Sequence, residues 1–504
     1  MPGPPEAAVP DDGETISRNF VYGLAAQLVG AAFTAALTIY LVRALGPAGF
    51  GVFALAVGIS TVLLLPSDFG ISQSAGRFIA ERRDDSSAIS AVIGLAVRLK
   101  VLAAGAVSVG LVALAAPIAS AYDAPGLAWP LRAVAIALFG QSLMVFSMTT
   151  FVALQRIPMT FRVVVSESAM EFTATLTLVL LSGGATAAAF GRAVGFAFGA
   201  LVGLALIVRA LGRPALRLRG RSPVGARRLA GYAGALLIID GAFALFNQID
   251  ILLIGAILGT TSAGLFSAPL RLVPFLGYPG LATANAVAPR MSRHPDRPPD
   301  VGSLQAALRY LVILQTGMAT VALVWADPIV ELTLGPDYRE SAEVLRAASP
   351  FVFLAGLAPL LSLAINYVGE ARRRVPIAIG AVALNAGIDL ALISNIGIVA
   401  GAIGTDVAYA GYVGAHLWLC RRMLGLRLRP VTATFARSLP AAAAMAAVLL
   451  AMGTGDLGVV EWIGGTLGGT AAFLTGLALT RELSPGELRA GIGSIVAGVR
   501  EVRA

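Results

Sequence analysis

The chain has 504 residues, of which 57% are hydrophobic and 13% charged, and its mean hydropathy is +0.82; an ordinary soluble domain carries roughly 25% charged residues. This composition predicts an all-α polytopic membrane protein and excludes a soluble globular enzyme. The net charge of +9 would suggest nucleic acid in a soluble chain, but here the basic residues fall between the apolar runs, where they act as orientation signals, so no nucleic-acid partner is expected.

Residues 1–18 are rich in proline, glycine and acid and read as a disordered tail with no cleaved signal peptide. A bilayer core of about 30 Å takes roughly 20 apolar residues in a helix. Fourteen segments meet that length, at approximately 20–44, 50–73, 89–118, 131–154, 162–183, 186–209, 232–257, 262–289, 305–331, 345–367, 375–395, 398–420, 433–452 and 457–479. With the N-terminus inside, 29 of the 37 basic residues fall on cytoplasmic connections, and only Arg43, Arg132, Arg339 and Arg346 fall outside. The asymmetry predicts a multi-pass protein of the cytoplasmic (inner) cell membrane with both termini cytoplasmic.

The turn Arg43-Ala-Leu-Gly-Pro-Ala-Gly-Phe-Gly-Val-Phe53 after the first span recurs. At a constant offset of 213 residues, Leu45 meets Leu258, Gly46 meets Gly259, Gly51 meets Gly264 and Phe53 meets Phe266, and the offset also carries Pro66 onto Pro279 and Arg77 onto Arg290. Two six-span repeats with one orientation follow, related by an axis along the membrane normal. The expected organisation is an N-lobe at 19–212, a basic cytoplasmic linker at 213–231, a C-lobe at 232–422, a C-terminal helix pair at 430–481 and a cytoplasmic tail at 482–504. The linker carries a run of arginines suited to an anionic lipid surface. The outer connections are short, with none long enough for the substrate-holding domain of a membrane glycosyltransferase.

Chemistry-bearing residues are few. Cys420 is the single cysteine, which excludes an intrachain disulfide and a thiolate cluster, and His294 and His416 show no ligand spacing. No metal, cofactor or covalent catalytic residue is expected. Polar groups inside spans are costly and normally face protein or water, so they mark a cavity. In the eighth span Arg271, Tyr278 and Asn285 recur at i, i+7 and i+14; in the seventh, Asp240, Phe243, Asn247 and Asp250 fall on one face. Gln27, Thr34 and Thr38 share a face of the first span, Glu167 and Glu171 form an i, i+4 pair in the fifth, Arg98 and Lys100 enter the third, and Arg192 lies in the sixth. Each cation also has the reading of an interhelical ion-pair partner or a side chain that reaches the surface. Pro66 and Pro279, with Pro269 and Pro274, mark hinges or static kinks.

The turn Arg43-Ala-Leu-Gly-Pro-Ala-Gly-Phe-Gly51, the Asp68-Phe-Gly70 element and Arg77-Phe-Ile-Ala80, set in a plan of six spans, linker, six spans and a further pair, resemble the polysaccharide-exporter (Wzx-type) flippases of the multidrug/oligosaccharidyl-lipid/polysaccharide exporter superfamily. The resemblance implies two six-helix lobes around a central cavity that opens alternately to each side. It also implies transport of a polyprenyl-pyrophosphate-linked oligosaccharide from the cytoplasmic to the outer leaflet, with membrane lipids and the polymerase or glycosyltransferases of the same pathway as partners. A pyrophosphate needs cations, which makes Arg271 the first substrate-binding candidate, with Tyr278, Asn285, Arg98, Lys100, Gln27 and Asn247 beside it. A driven exporter also needs an ion site, for which Asp240, Asp250, Glu167 and Glu171 are the candidates, with Asp389 and Asp406 behind them. A cation-coupled drug or metabolite antiporter and a membrane glycosyltransferase or ligase stay open as alternatives.

Overall fold

The computed structural model of the protein describes residues 12–82, 85–211, 234–292, 298–484 and 486–487. The expected basic linker and most of both tails lie outside the described residues. All regular structure among the described residues is helical. Eleven helical stretches there are long and apolar enough to cross a bilayer, as an all-α multi-pass membrane protein requires. The contact pattern divides the chain into two compact units, Met1–Gln248 with Gly259–Gly264, and Ile249–Leu258 with Leu265–Ala504.

The first unit is built from α1 (Asp12–Asp68), α2 (Ile71–Ala80), α3 (Ser86–Ala121), α4 (Ala128–Ala153), α5 (Ile157–Ser182), α6 (Gly184–Leu211) and the start of α7 (Gly234–Leu258). The first expected span and most of the second lie in α1, which is interrupted at Gly46 with φ 63 and ψ 176, and the last residues of the second, 69–73, fall on the turn and the start of α2. The cause is local: Pro47 disfavours the α conformation of the residue before it, and glycine accepts positive φ without steric cost. At the other end Phe69 (φ 43) and Gly70 (φ 69) turn the chain into α2. The unit's core is aromatic and β-branched, with Phe78, Ile79, Val92, Phe146, Phe151 and Phe196 buried.

The second copy of the turn repeats this geometry. Gly259, between α7 and α8 (Thr260–Leu270), also has positive φ, 88. The second glycine of each copy serves a different purpose. A Cβ on Gly51 would stand 2.9 Å from Gly264 N and nearer still to the Thr260 carbonyl oxygen, and a Cβ on Gly264 would stand 2.9 Å from the Pro47 carbonyl carbon and nearer to its oxygen. Pro47 and Thr260 are themselves repeat mates, so the two turns pack backbone to backbone in a reciprocal contact.

The second unit contains the rest of α7 and α8, then α9 (Val273–Val287), α10 (Val301–Val324), α11 (Ala326–Thr333), α12 (Ser341–Ala347), α13 (Ser349–Tyr367), α14 (Val375–Ile396), α15 (Val399–Leu424), α16 (Leu428–Met452) and α17 (Val459–Leu479). The expected eighth span is two helices, α8 and α9, broken at Arg271–Leu272. Pro269 lacks an N–H for the Leu265 carbonyl, and that carbonyl instead accepts from Ser341 Oγ at 2.6 Å. Arg271, Tyr278 and Asn285 therefore do not share one continuous helical face; Tyr278 and Asn285, both on α9, keep their spacing. The α16–α17 hairpin is fastened to the end of α10 by Trp325, whose indole donates to the carbonyls of Leu449 and Gly453, each at 3.1 Å, and whose ring meets Trp462 edge-on.

Candidate functional site

Three helices of the second unit bring Asp250, Asn385, Asp389 and Thr405 together. Asp250 lies on α7, Asn385 and Asp389 are one turn apart on α14, and Thr405 is on α15. Asn385 Nδ2 donates to one oxygen of Asp250 at 2.5 Å and Thr405 Oγ1 donates to the other at 2.6 Å. Both carboxyl groups are buried, Asp250 at 6% and Asp389 at 0% exposed, and each lies within the other's electrostatic reach. The α14–α15 contact is close because residue 404 is glycine: a Cβ there would stand 2.8 Å from Asn385 Oδ1 and nearer still to Asp389 Oδ1.

The hydrogen-bond accounting in this cluster does not close. Asn385 Oδ1 and both oxygens of Asp389 are buried without a hydrogen-bond partner among the described residues, although buried polar groups are ordinarily paired because an unpaired one costs on the order of 1 to 3 kcal/mol. Two facing carboxyl groups and an amide oxygen offer acceptors and no donor. A proton shared between the two carboxyl groups, a buried water or a small cation that prefers oxygen ligands can each supply what these acceptors lack. Among the described residues no group of three or more His, Cys, Asp or Glu could hold a metal ion.

In the first unit α5 and α6 approach through glycines. Gly195 packs on Glu171, where a Cβ would stand 2.5 Å from the Glu171 Cβ; Gly191 packs on Thr175 and Gly199 on Glu167, the small-residue spacing that lets membrane helices come close. Glu167 and Glu171 thus lie at a helix interface. Glu171 pairs with Arg192 at 2.7 Å, and the guanidinium sits over the Phe196 ring at 4.6 Å. Glu167, 5% exposed, accepts from Ser168 at 3.1 Å.

The other expected positions are dispersed. Lys100 is fully buried in an ion pair with Asp68, which also accepts from Ser72 Oγ at 2.5 Å, so this cation ties α3 to the end of α1. Arg98 is half-buried and its Nε donates to the Gly94 carbonyl at 3.3 Å. Gln27 is exposed, and Asn247 is exposed with its amide turned to the Phe243 carbonyl at 2.6 Å. The side chain of Asp240 lies outside the described residues. Arg271 and Tyr278 are half-buried and Asn285 is exposed. Asp250 accepts its hydrogen bonds from Asn385 and Thr405.

Two arrangements were not visible in the sequence. Asn385 and Thr405, which complete the Asp250 cluster, are neutral residues in apolar runs; the signal that could have found them is the Asn385/Asp389 i, i+4 pair beside the Gly404-Thr405 dipeptide. Arg374, counted in the sequence as an orientation signal, is buried. Its guanidinium donates to Asn366 Oδ1 at 2.7 Å, Tyr412 Oη at 3.1 Å and His416 Nε2 at 3.2 Å. Since His416 Nε2 accepts, Nδ1 carries the proton and donates to the Tyr412 carbonyl at 2.8 Å. This network locks α13, α14 and α15 together through neutral partners.

The sequence profile of a family described as "Polysaccharide biosynthesis protein" matches residues 40–343. A protein of Escherichia coli (strain K12) described as "Putative O-antigen transporter" is 22% identical over 340 residues, covering 66% of this chain and 79% of its own length. Among solved structures, the lipid II flippase MurJ in an inward closed conformation superposes with a TM-score of 0.71 at 13% identity, covering 91% of this chain and 98% of that one. The MATE multidrug transporter DinF-BH superposes with a TM-score of 0.57 at 12% identity, covering 83% and 97%. At these identities the structural likeness establishes a shared fold.

Proposed function

Because the chain belongs to the polysaccharide biosynthesis protein family, we propose that it is a flippase. Its cargo is a polyprenyl-pyrophosphate-linked oligosaccharide, carried from the cytoplasmic to the outer leaflet of the cell membrane for surface polysaccharide assembly. The cargo class is supported by the relatives, one named for O-antigen transport and one for flipping lipid II. The observation that carries transport over covalent chemistry is the Asp250–Asn385–Asp389–Thr405 cluster, a buried set of acceptors suited to a cation. Binding and release of that cation couple an ion gradient to alternating access. The fold shared with multidrug transporters favours one second reading, a cation-coupled antiporter for a smaller amphiphile.

The test is made in cells lacking their own exporter for a lipid-linked glycan. Expression of this chain should restore surface glycan and clear the intermediate from the inner leaflet. Drug efflux without glycan export would establish the antiporter, and turnover of a sugar nucleotide by the purified protein would establish a transferase. Arg271 provides the residue-level version. It stands half-buried at the α8–α9 break inside an apolar segment, a place where a guanidinium can meet an anionic group of the cargo. Arg271→Ala should reduce export to background while the protein still accumulates, and Arg271→Lys should recover only part, because the point charge is kept and the planar donor fork is lost. Wild-type export by Arg271→Ala would remove this residue from substrate binding. A fall in protein abundance would identify it as a packing residue.

Topology is checked separately. The arginine asymmetry predicts that both termini are cytoplasmic, so reporter fusions after Arg373 should read cytoplasmic and fusions after Asp337 should read external. A cytoplasmic signal at Asp337 would refute the orientation.

A further inference from the structure

At one end of the second unit, four helix ends converge: the start of α10, the end of α15, the start of α16 and the residues that follow α17. They border an open cavity of about 930 Å³ whose lining includes Arg309, Arg421, Arg427, Arg429, Arg437 and Glu482. The two sides of this cavity differ in their charge balance. On one side Glu482, 3% exposed, is held by Arg309 at 2.8 Å, Arg437 at 3.3 Å and Thr434 Oγ1 at 2.8 Å. Arg309 also pairs with Glu487 at 2.8 Å and holds that carboxyl well below the usual range, at about 2. On the other side Arg421, Arg427 and Arg429 have no acidic partner among the described residues.

Five guanidinium groups against two carboxylates leave a surplus of positive charge in a concave space large enough for a ligand headgroup. The N-terminus of α16, a helix of 25 residues, adds its own positive end. From this cavity we infer a binding site for the phosphate headgroup of an anionic membrane phospholipid, with Arg421, Arg427 and Arg429 as the phosphate ligands. Two observations select a lipid over a soluble anion. The cavity lies at the ends of α10, α16 and α17, which are all long and apolar enough to span a bilayer, so it sits at the level where headgroups lie. Directly inward from it α16 exposes Phe435 (40%) and Leu439 (48%), an apolar surface for acyl chains one to three turns below the arginines. Arginine recognises a phosphate through two parallel N–H bonds, and three such side chains without carboxylate partners have that capacity to spare. The site is independent of the transport reading and shares no residue with the Asp250 cluster or with Arg271.

The experiment uses the full chain purified in a neutral detergent, with thermal unfolding followed as lipid is added. Phosphatidylglycerol should raise the midpoint of the wild-type protein and phosphatidylcholine should not. In R421Q/R427Q/R429Q the phosphatidylglycerol concentration needed for half the effect should rise on the order of a hundredfold, since each basic side chain near an anionic lipid contributes about a fivefold preference. R372Q/R373Q, which removes exposed charge elsewhere in the same unit, should respond as wild type. An unchanged response of the triple variant would overturn the site. A full shift with inorganic phosphate at equal concentration, or a shift with polyprenyl pyrophosphate and none with phosphatidylglycerol, would overturn the assignment to a resident phospholipid. If the triple variant is not monodisperse, R429Q alone carries the test, with about a fivefold change expected.

Discussion

Gly51→Val should leave little or no full-length protein in the membrane, and Gly264→Val should do the same. In each case the new side chain would have to occupy the space of a backbone carbonyl oxygen in the other copy of the repeated turn: Thr260 for Gly51 and Pro47 for Gly264. Backbone atoms on both sides leave no flexible chain end to give way, so the cost is about 3 kcal/mol or more, a large share of the 5 to 15 kcal/mol typical of a folded protein. The contact is reciprocal, so the effects should not add: once the first valine has forced the turns apart, the second finds the space already open. Gly110→Ala is the control. Nothing lies within 4 Å of a Cβ at Gly110, and within α3 alanine is the better helix former, so abundance should hold or rise. Membrane abundance by immunoblot reads all four, and wild-type levels of Gly51→Val would refute the backbone contact.

This repeat was legible because both of its signals are local. Leu-Gly-x4-Gly-x-Phe announces itself in one dimension, and its first glycine, positive in φ at both Gly46 and Gly259, follows from the residue's own stereochemistry. The apolar segments were legible for the same reason, since hydropathy depends on neighbours in sequence. The eighth segment shows where periodicity misled: Arg271, Tyr278 and Asn285 have helical spacing, but the segment is two helices, and Pro274 has no N–H for the Leu270 carbonyl across the break. Partnerships across distance were not legible. Lys100 looked like a cation available to substrate, and its partner is Asp68, which the sequence singled out only as part of a turn. Arg421, Arg427 and Arg429 were counted as orientation signals; that they face one cavity with Arg309 and Glu482 depends on how four helix ends meet. Of the acidic cluster, Asp250 and Asp389 were visible as intramembrane acids, whereas Asn385 and Thr405 were not, being neutral and separated from Asp250 by 135 and 155 residues.

Asp389→Asn should abolish glycan export while the protein remains as abundant as wild type. The change keeps the volume and removes the charge, so a residue serving only to pack α14 against α15 would tolerate it. Stability in the absence of the coupling cation should hold or improve, since the buried acceptors of Asp389 have no hydrogen-bond partner among the described residues and an amide brings two donors to the place. The distinguishing reading is the response to the cation. A ligand bound only by the folded protein stabilises it by about 2.7 kcal/mol at one hundred times its dissociation constant, so the wild-type unfolding midpoint should climb with the coupling cation and that of Asp389→Asn should not. Thr405→Val should be milder: it removes one hydrogen bond to the Asp250 carboxylate, about 1.5 to 3 kcal/mol, and so raises the cation concentration needed roughly ten- to hundredfold. Proteoliposomes driven by a sodium gradient or by a pH gradient identify the ion, since only the gradient of the coupling species should support transport, and Asp389→Asn should fail with both. Export by Asp389→Asn at the wild-type rate, with the cation response intact, would mean that the acceptors on α7, α14 and α15 are a packing feature and that coupling resides elsewhere in the chain.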